Sequence, residues 1–325
     1  MMITPDVYEA DRRVLWGMCY RMTGNAADAD DLVQETFVRA IERPPRRLDQ
    51  PLRPWLVRVA MNLSRDYLRA RRRRGYKGPW LPSPVPTGEL SEAQETLASY
   101  EPPAPPDQSP AARYDLMESV SFAFLLALEA LTPSQRAVLL LRDVFDYSTE
   151  ESAAALDLTE ANVKVLLSRA RRKLGDYDKQ RVRIDAARRE QTRRALEEFL
   201  VCLSTGDTAK LERLLSEDAL SLSDGGGEVA AALRPVRGRR NVLRLFTGLA
   251  KKTKGMPRVM VGDFNGLPAV LVELGARGKG FATRFTLHLE LDRSGLINRL
   301  SIVLAPSKLL NLRSEDRDGF RSTFV

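Results

Sequence analysis

The chain has 325 residues, 51 Lys and Arg against 43 Asp and Glu, a formal net charge of +8, one His and two Cys. At about 100–200 residues per domain the length asks for two or three domains, while Cys19, Cys202 and His288 are too few for a disulfide framework, a zinc cluster or a multi-His metal site. No apolar run approaches the roughly 18 residues of a membrane span, and Met1–Arg13 has no apolar signal core. The sequence thus reads as soluble, reduced and cytoplasmic, with no metal, no cofactor and no membrane partner.

The charge is clustered. Residues 1–75 hold 15 Arg and no Lys against 10 acids. Within them Asp28–Ile41 reads as an amphipathic helix, with Leu32, Val33, Thr36, Phe37, Ala40 and Ile41 on one face and Asp28, Asp31, Gln34 and Glu35 on the other. Asn25 or the following acids cap its start, and Pro44–Pro45 end it. A second helix carries Pro54 in its first turn, an apolar stripe of Leu56, Val59, Ala60 and Leu63, and a polar stripe of Arg58, Asn62, Arg65, Asp66 and Arg69 running into Arg71, Arg72, Arg73 and Arg74. As a helix, Arg58 to Arg74 covers about 24 Å, enough to follow several phosphates. A solvated charged face is the plain reading of such a stripe. Four consecutive arginines beside Trp55, Tyr67 and Tyr76 point instead to nucleic acid.

Residues 79–110 then hold no Lys or Arg, five acids and nine of the 19 prolines, the composition of a linker, with a short helix around Leu90–Ser99. Beyond it, Thr132-Pro133-Ser134-Gln135 and Ser148-Thr149-Glu150-Glu151 are capping boxes. The first opens a helix with Val138, Leu139, Leu141 and Val144 inward. The second opens a short helix, Thr149–Leu156, followed by the turn Asp157-Leu158-Thr159 and a longer helix from Glu160 to about Leu174. This is the helix-turn-helix plan. Leu156, Leu158, Val163 and Leu167 would fix the second helix so that it enters a major groove. Glu160, Asn162, Lys164 and Ser168 would reach base edges or phosphates, and Arg169, Arg171 and Arg172 phosphates. A plain three-helix bundle with a basic end is the competing reading, since the helix dipole favours cations there.

After about residue 205 glycines become frequent. Thr192–Leu203, Thr208–Leu215 and Asn241–Lys251 read as helices. Phe285, Leu287, Leu289 and Leu291 alternate with Arg284, Thr286, His288 and Glu290, which makes a strand with one polar face, and Leu296–Leu304 follows as its neighbour. His288, on the polar face, reads as exposed or as a satisfied hydrogen-bonder rather than a general base. Gly225-Gly226-Gly227-Glu228-Val229-Ala230 formally fits G-x-G-x-x-A, but it lacks a βαβ context and reads as a tight packing loop.

Tyr20–Ala40 with Pro54–Arg74 resembles region 2 of the bacterial sigma-70 factors, and Leu131–Leu174 resembles region 4. Two such regions with no region 3 between them is the layout of the extracytoplasmic-function (ECF) sigma factors. Trp80-Leu81-Pro82-Ser83-Pro84 resembles a WLPEP motif, Asp224-Gly225-Gly226-Gly227-Glu228 a DGGGK motif, and Ala305-Pro306-Ser307-Lys308-Leu309 an NPDKL motif. These belong to the ECF group with a fused SnoaL-like domain. Here Ser83 replaces Glu, Glu228 replaces Lys, and Ala305 and Ser307 replace Asn and Asp. Within region 4, Ser152 stands where an apolar residue usually packs, and Asp157 stands at the turn where Gly is common.

The resemblance implies a multidomain chain. Residues 1–76 would be an all-α sigma region 2, 77–114 a Pro-rich linker, and 115–178 an all-α helix-turn-helix region 4. Residues 188–310 would form an α+β cone of the SnoaL-like or nuclear transport factor 2-like type, and 311–325 a tail. Asp28, Asp30, Asp31, Gln34 and Glu35 would dock on the β′ clamp helices of core RNA polymerase, with the β flap as a second contact. Pro54–Arg74 would recognise and open the −10 element of promoter DNA, and Glu160–Lys173 would read the −35 element. Trp80, Leu81 and Pro82 of the linker, the loop Asp224, Gly225, Gly226 and Gly227, and the tail residues Lys308 and Leu309 would make regulatory contacts, through which the extension modulates activity in cis. A small-molecule ligand in the cone is a further candidate partner. Two other readings stand beside this one: a SnoaL-like cyclase or isomerase tethered to a DNA-binding module, and a helix-turn-helix regulator that never binds polymerase. The shortage of acid/base groups speaks against the first, and the acidic face Asp28–Glu35 against the second.

Overall fold

The computed structural model describes residues 5–45, 51–87, 113–182, 184–252, 257–275, 278, 280–312 and 321–322. The short helix expected around Leu90–Ser99 lies outside them. The chain forms two compact units: Met1–Gly75 with Glu92–Arg181, and Tyr76–Ser91 with Val182–Val325. The first part of the Pro-rich segment therefore groups with the C-terminal unit.

The first unit is helical. Its helices are α1 (Pro5–Thr23), α2 (Ala26–Glu42), α3 (Leu52–Arg74), α4 (Phe122–Ala127), α5 (Pro133–Asp143), α6 (Thr149–Leu156), α7 (Glu160–Lys173) and α8 (Gly175–Gln180). Helix α1, not expected from the sequence, buries Leu15, Met18, Cys19 and Met22 against α2 and α3. Asn25 caps α2 by accepting the Ala27 amide at 3.1 Å. Two details of the expected faces change. Ile41 is 74% exposed, and Val38 beside it is also exposed. On α3 the buried residues are Leu52, Leu56, Val57, Ala60, Met61, Ser64 and Leu68, while Val59 and Leu63 are half-buried. The buried stripe is turned and widened because α3 meets α5 and α6 as well as α1 and α2.

Both capping boxes form. The Gln135 amide donates to Thr132 Oγ1 at 3.2 Å and the Thr132 amide to Gln135 Oε1 at 3.0 Å. The Glu151 amide donates to Ser148 Oγ at 3.0 Å and the Ser148 amide to Glu151 Oε2 at 2.6 Å. Asp157 closes α6 in the left-handed conformation (φ 55°, ψ 52°), which Asp tolerates better than most residues. Thr159 then caps α7 through the Asn162 amide.

The second unit packs α9 (Ala186–Thr205), α10 (Thr208–Leu214) and α11 (Arg239–Lys252) on one sheet. Its strands are β1 (Leu215–Asp224), β2 (Val236–Arg237), β3 (Arg258–Phe264), β4 (Leu267–Glu273), β5 (Arg284–Leu291), β6 (Ile297–Val303) and β7 (Arg321–Ser322). The order is β2-β1-β6-β5-β4-β3-β7. The β1/β6 pair is parallel and the others antiparallel. Leu196, Phe199, Val242 and Phe246 of the helices share a core with Val270, Leu287, Leu289, Leu300 and Ile302 of the sheet. The expected strand pairing of 284–291 with its successor is present, with His288 opposite Ser301. The polar face, however, is not a solvent face: Thr286, His288 and Ser301 are all buried.

Candidate nucleic-acid interface

On α7, Val163 and Ala170 are buried, one above the other, and anchor the helix. Glu160, Asn162, Lys164, Ser168, Arg169, Arg171 and Arg172 are all exposed on its other sides. Arg171 is nonetheless committed. Its Nε and Nη2 donate to the two carboxylate oxygens of Asp143 at 2.9 and 2.5 Å, a fork on a side chain only 2% exposed. Lys173 donates to the Ala130 carbonyl and to Gln135 Oε1. These two cations tie α7 to α5 and its approach. The sequence signal for Asp143 is an acid closing the apolar run Val138–Leu141. Glu160, Lys164, Arg169 and Arg172 make no ion pair among the described residues, so their charges are available to a ligand.

The basic track of α3 is divided between solvent and the second helical block. Arg65 donates to Asn62 Oδ1 and to the Leu156 carbonyl, both at 2.9 Å, and Arg58 stands 3.6 Å from Asp157. Arg71 donates to the Thr23 carbonyl at 3.0 Å and to both Glu129 oxygens at 2.7 and 2.6 Å. Arg72 donates to the Leu131 carbonyl. Arg69 pairs with Asp66, and Arg73 is exposed. Glu129 also takes a bond from Arg136 at 2.6 Å, whose other nitrogen reaches the Met22 carbonyl at 2.7 Å. Burial pushes the Glu129 carboxyl upward, but the Arg136 and Arg71 guanidiniums outweigh it and hold the group below the usual carboxylate range. Sequence reasoning missed Glu129, Arg136 and Arg21. Arg21 is buried, bonded to Ser119, Gly17 and Leu116, with its pKa lowered by burial to about 9.

The acidic face of α2 exposes Asp30, Asp31 and Gln34. Asp28 accepts the Tyr67 hydroxyl at 2.5 Å, and Glu35 pairs with Arg39 at 2.8 Å. Asp31, Gln34, Val38 and Ile41 follow one another at helical spacing, so exposed apolar surface adjoins the acids.

In the second unit the three short motifs meet. Lys308 Nζ donates to Asp224 Oδ2 at 2.7 Å and to the Leu81 carbonyl at 2.5 Å. It lies 4.6 Å from the Trp80 ring centroid and 4.9 Å from that of Tyr76. The Leu81 amide and the Tyr76 hydroxyl complete Asp224 at 2.7 and 2.6 Å. Side chains of Lys308 and Asp224 are 4% and 0% exposed, so this is a buried, fully bonded ion pair. Leu81, Pro82 and Leu309 are buried around it. Further along, the Val85 amide donates to Asn265 Oδ1 at 2.9 Å and the Thr87 amide to the Asp263 carbonyl at 2.8 Å. The glycine loop is tight for a reason: a Cβ on Gly225 would stand 2.4 Å from the Val229 carbonyl oxygen, and Gly226 has φ 63°. Two of the motif departures meet as well, because Ser307 Oγ donates to Glu228. His288 is bonded to Thr286 Oγ1 at 3.0 Å and edge-on to Phe264, which bridges to Pro86 of the clamped segment. Burial pushes the His288 pKa down to about 3.

The sequence profile of Sigma-70 region 2 matches residues 7–74, and that of Sigma-70 region 4 matches residues 121–174. ECF RNA polymerase sigma factor SigJ of Mycobacterium tuberculosis is 33% identical over 255 residues, covering 75% of this chain and 72% of SigJ. The chain belongs to the ECF sigma factors of the sigma-70 family. SigG of the same organism is 38% identical over 223 residues, covering 65% of this chain and 59% of SigG. The crystal structure of Mycobacterium tuberculosis SigJ is similar throughout, with a TM-score of 0.70 and 27% identity over 94% of this chain and 98% of that one.

In this sigma factor, region 2 is therefore α1–α3 and region 4 is α4–α7. The clamped segment 76–87 and the residues from Val182 onward lie outside both profiles, in the α+β unit. The chain is an alternative sigma factor acting in transcription initiation, and no helix among its described residues is long and apolar enough to cross a membrane.

Proposed function

We propose that this sigma factor binds core RNA polymerase through the α2 face and directs it to promoters read by α3 and α7, while the C-terminal domain modulates this activity in cis by holding the linker. Asp31 and Gln34, flanked by exposed Val38 and Ile41, suit the β′ clamp helices: the acids steer, and the apolar pair supplies buried area. The β flap is assigned to region 4. Asn162, Lys164 and Ser168 carry base contacts at the −35 element, and Arg169 and Arg172 phosphate contacts. At the −10 element, Arg69 and Arg73 meet the backbone directly. Arg58, Arg65, Arg71 and Arg72 join them when α3 parts from residues 129–157.

The observation that carries the regulatory part is the Lys308 clamp. Its ammonium bonds the Leu81 carbonyl and Asp224 at once, so the segment following region 2 is part of the C-terminal domain. The test is transcription from one promoter by core polymerase with full-length protein and with a truncation near residue 205. Equal output from both sinks the regulatory reading. A catalytic role for the C-terminal domain is not favoured. His288 is buried and neutral at physiological pH, whereas a general base needs reach to substrate and a pKa near the working pH. Turnover of a small molecule that disappears in His288→Ala would reverse that judgement.

A further inference from the structure

One charge feature of the C-terminal domain has no part in the clamp. Residues 229–262 contain nine Lys and Arg and no Asp or Glu. Most of these cations fall on or just before α11. Arg234, Arg237, Arg240, Arg244, Lys251 and Lys252 are exposed, and none makes an ion pair among the described residues. Among the described residues only Arg239 of α11 is paired, with Glu217, whereas the neighbouring helices pair about half of their cations and leave Arg189 and Arg213 without an ion pair. Arg193 of α9 pairs with Asp263, Arg194 with Glu190, and Lys210 of α10 with Glu198.

At 100° per residue Arg240, Arg244 and Lys251 fall within about 40° of one another, on a line about 16 Å long. Val242 and Phe246 face the core on the opposite side. Lys251, in the last turn, suits the helix dipole, but the N-terminal end of the stripe opposes local stability. Arg239 and Arg240 occupy the first turn, where the helix dipole repels cations, and that turn holds no acid. Arg240 and Arg244 repel each other at i, i+4. A solvated face ordinarily intersperses both signs. The unfavourable part, Arg240 with Arg244, becomes favourable when a polyanion lies along the stripe.

We infer that the exposed face of α11, through Arg240, Arg244 and Lys251, is a second nucleic-acid surface that holds the phosphate backbone of duplex DNA without reading its sequence. DNA is favoured because the stripe is a line of cations on the scale of several phosphates. It also belongs to a chain that the preceding reading already places on a promoter, and tethering makes the second contact intramolecular. The inference rests on that reading.

The experiment uses the full-length sigma factor assembled with core polymerase. Binding to a promoter duplex, and to a duplex with both promoter elements scrambled, is followed across a salt series for wild type, Arg240→Gln/Arg244→Gln/Lys251→Gln, and Lys164→Ala. Losing three phosphate contacts should make the slope of log K against log salt shallower by about 2.7 on both duplexes, with promoter preference unchanged. The charge-retaining Arg240→Lys/Arg244→Lys/Lys251→Arg variant should keep the wild-type slope. If the triple neutral variant folds poorly, Arg244→Gln alone should shift the slope by about 0.9. A wild-type slope in the neutral variants overturns the inference. So does weakened assembly with core polymerase at an unchanged DNA slope, which would assign the stripe to a protein partner. If Lys164→Ala is silent on the promoter duplex, it is the assignment of α7 that fails, separately from that of α11.

Discussion

Lys308→Met tests the clamp most directly. The substitution keeps an unbranched side chain and removes the ammonium, leaving Asp224 buried. Asp224 would still accept from the Tyr76 hydroxyl, the Leu81 amide and the Gly226 amide, at 2.6, 2.7 and 2.9 Å. Removing one partner of a buried ion pair costs about 3–5 kcal/mol. Three surviving neutral donors place this case at the lower end, about 3 kcal/mol, with the lost cation–π contacts to Trp80 and Tyr76 included. If segment 76–87 detaches as one local unit, its opening equilibrium rises about 150-fold. Lys77 is exposed and sits inside that segment, so tryptic cleavage after Lys77, mapped by mass spectrometry under native conditions, reports the opening. An increase of less than about fivefold would show that the ion pair does not hold the linker, and the structural basis of the regulatory proposal would be lost.

Other expectations concern the remaining buried charges. Glu129→Gln strips the counter-charge from Arg136, whose side chain is 2% exposed, and should destabilise the helical unit by about 3–5 kcal/mol in chemical denaturation. Because the Glu129 carboxyl is held below its ordinary value, its contribution is full above about pH 4.5 and fades as the pH falls through the lower folded value. The Gln variant should lack that acid dependence. His288 has the opposite chemistry and the same direction. Its folded pKa of about 3, against 6.5 ordinarily, means that the unfolded chain takes up a proton that the folded domain refuses. Stability of the C-terminal domain should fall by about 2 kcal/mol from pH 7 to pH 5, and His288→Gln should flatten that interval in calorimetric scans. Asp143→Asn weakens the fork that positions α7. Since Arg171 is 42% exposed, the loss should be about 1–2 kcal/mol, read as a lower unfolding midpoint of the helical unit.

What could be read in the sequence was local. The boxes at Thr132 and Ser148, the Asp157 turn and the strand Arg284–Leu291 are each decided by residues within a few positions of one another. Helix α1 carried a signal of the same kind, with Val14, Leu15, Met18, Cys19 and Met22 at helical spacing. The β3–β4 hairpin carried another, since Asn265-Gly266, both at positive φ, is a strong two-residue turn. Other features were decided by distant chain. Glu129 and Arg136 are ordinary surface residues until Arg71 and the Met22 carbonyl reach them. His288, on the polar side of an alternating strand, reads as exposed or as a satisfied hydrogen-bonder. It is the second, bonded to Thr286, and its burial depends on what lies over that face of the sheet. The motif residues Trp80, Asp224 and Lys308 could be picked out by resemblance, whereas the cage they build around one ammonium is set by contacts between distant parts of the chain.

The C-terminal domain is split in sequence. Its clamped strip, residues 76–87, is made before region 4, and the rest of it afterwards. On the ribosome that strip emerges without its partners, and the Lys308 that captures it comes only after more than two hundred further residues have been joined. Every newly made molecule therefore passes through an interval in which region 2 and region 4 are both complete while the strip is still loose. A fragment beginning at residue 188 would inherit the mirror image of that state, with the Asp224–Lys308 pair stripped of Tyr76, Trp80 and the Leu81 backbone. The smallest piece expected to fold as the domain does here must carry both parts, either joined directly or supplied as two chains that find each other.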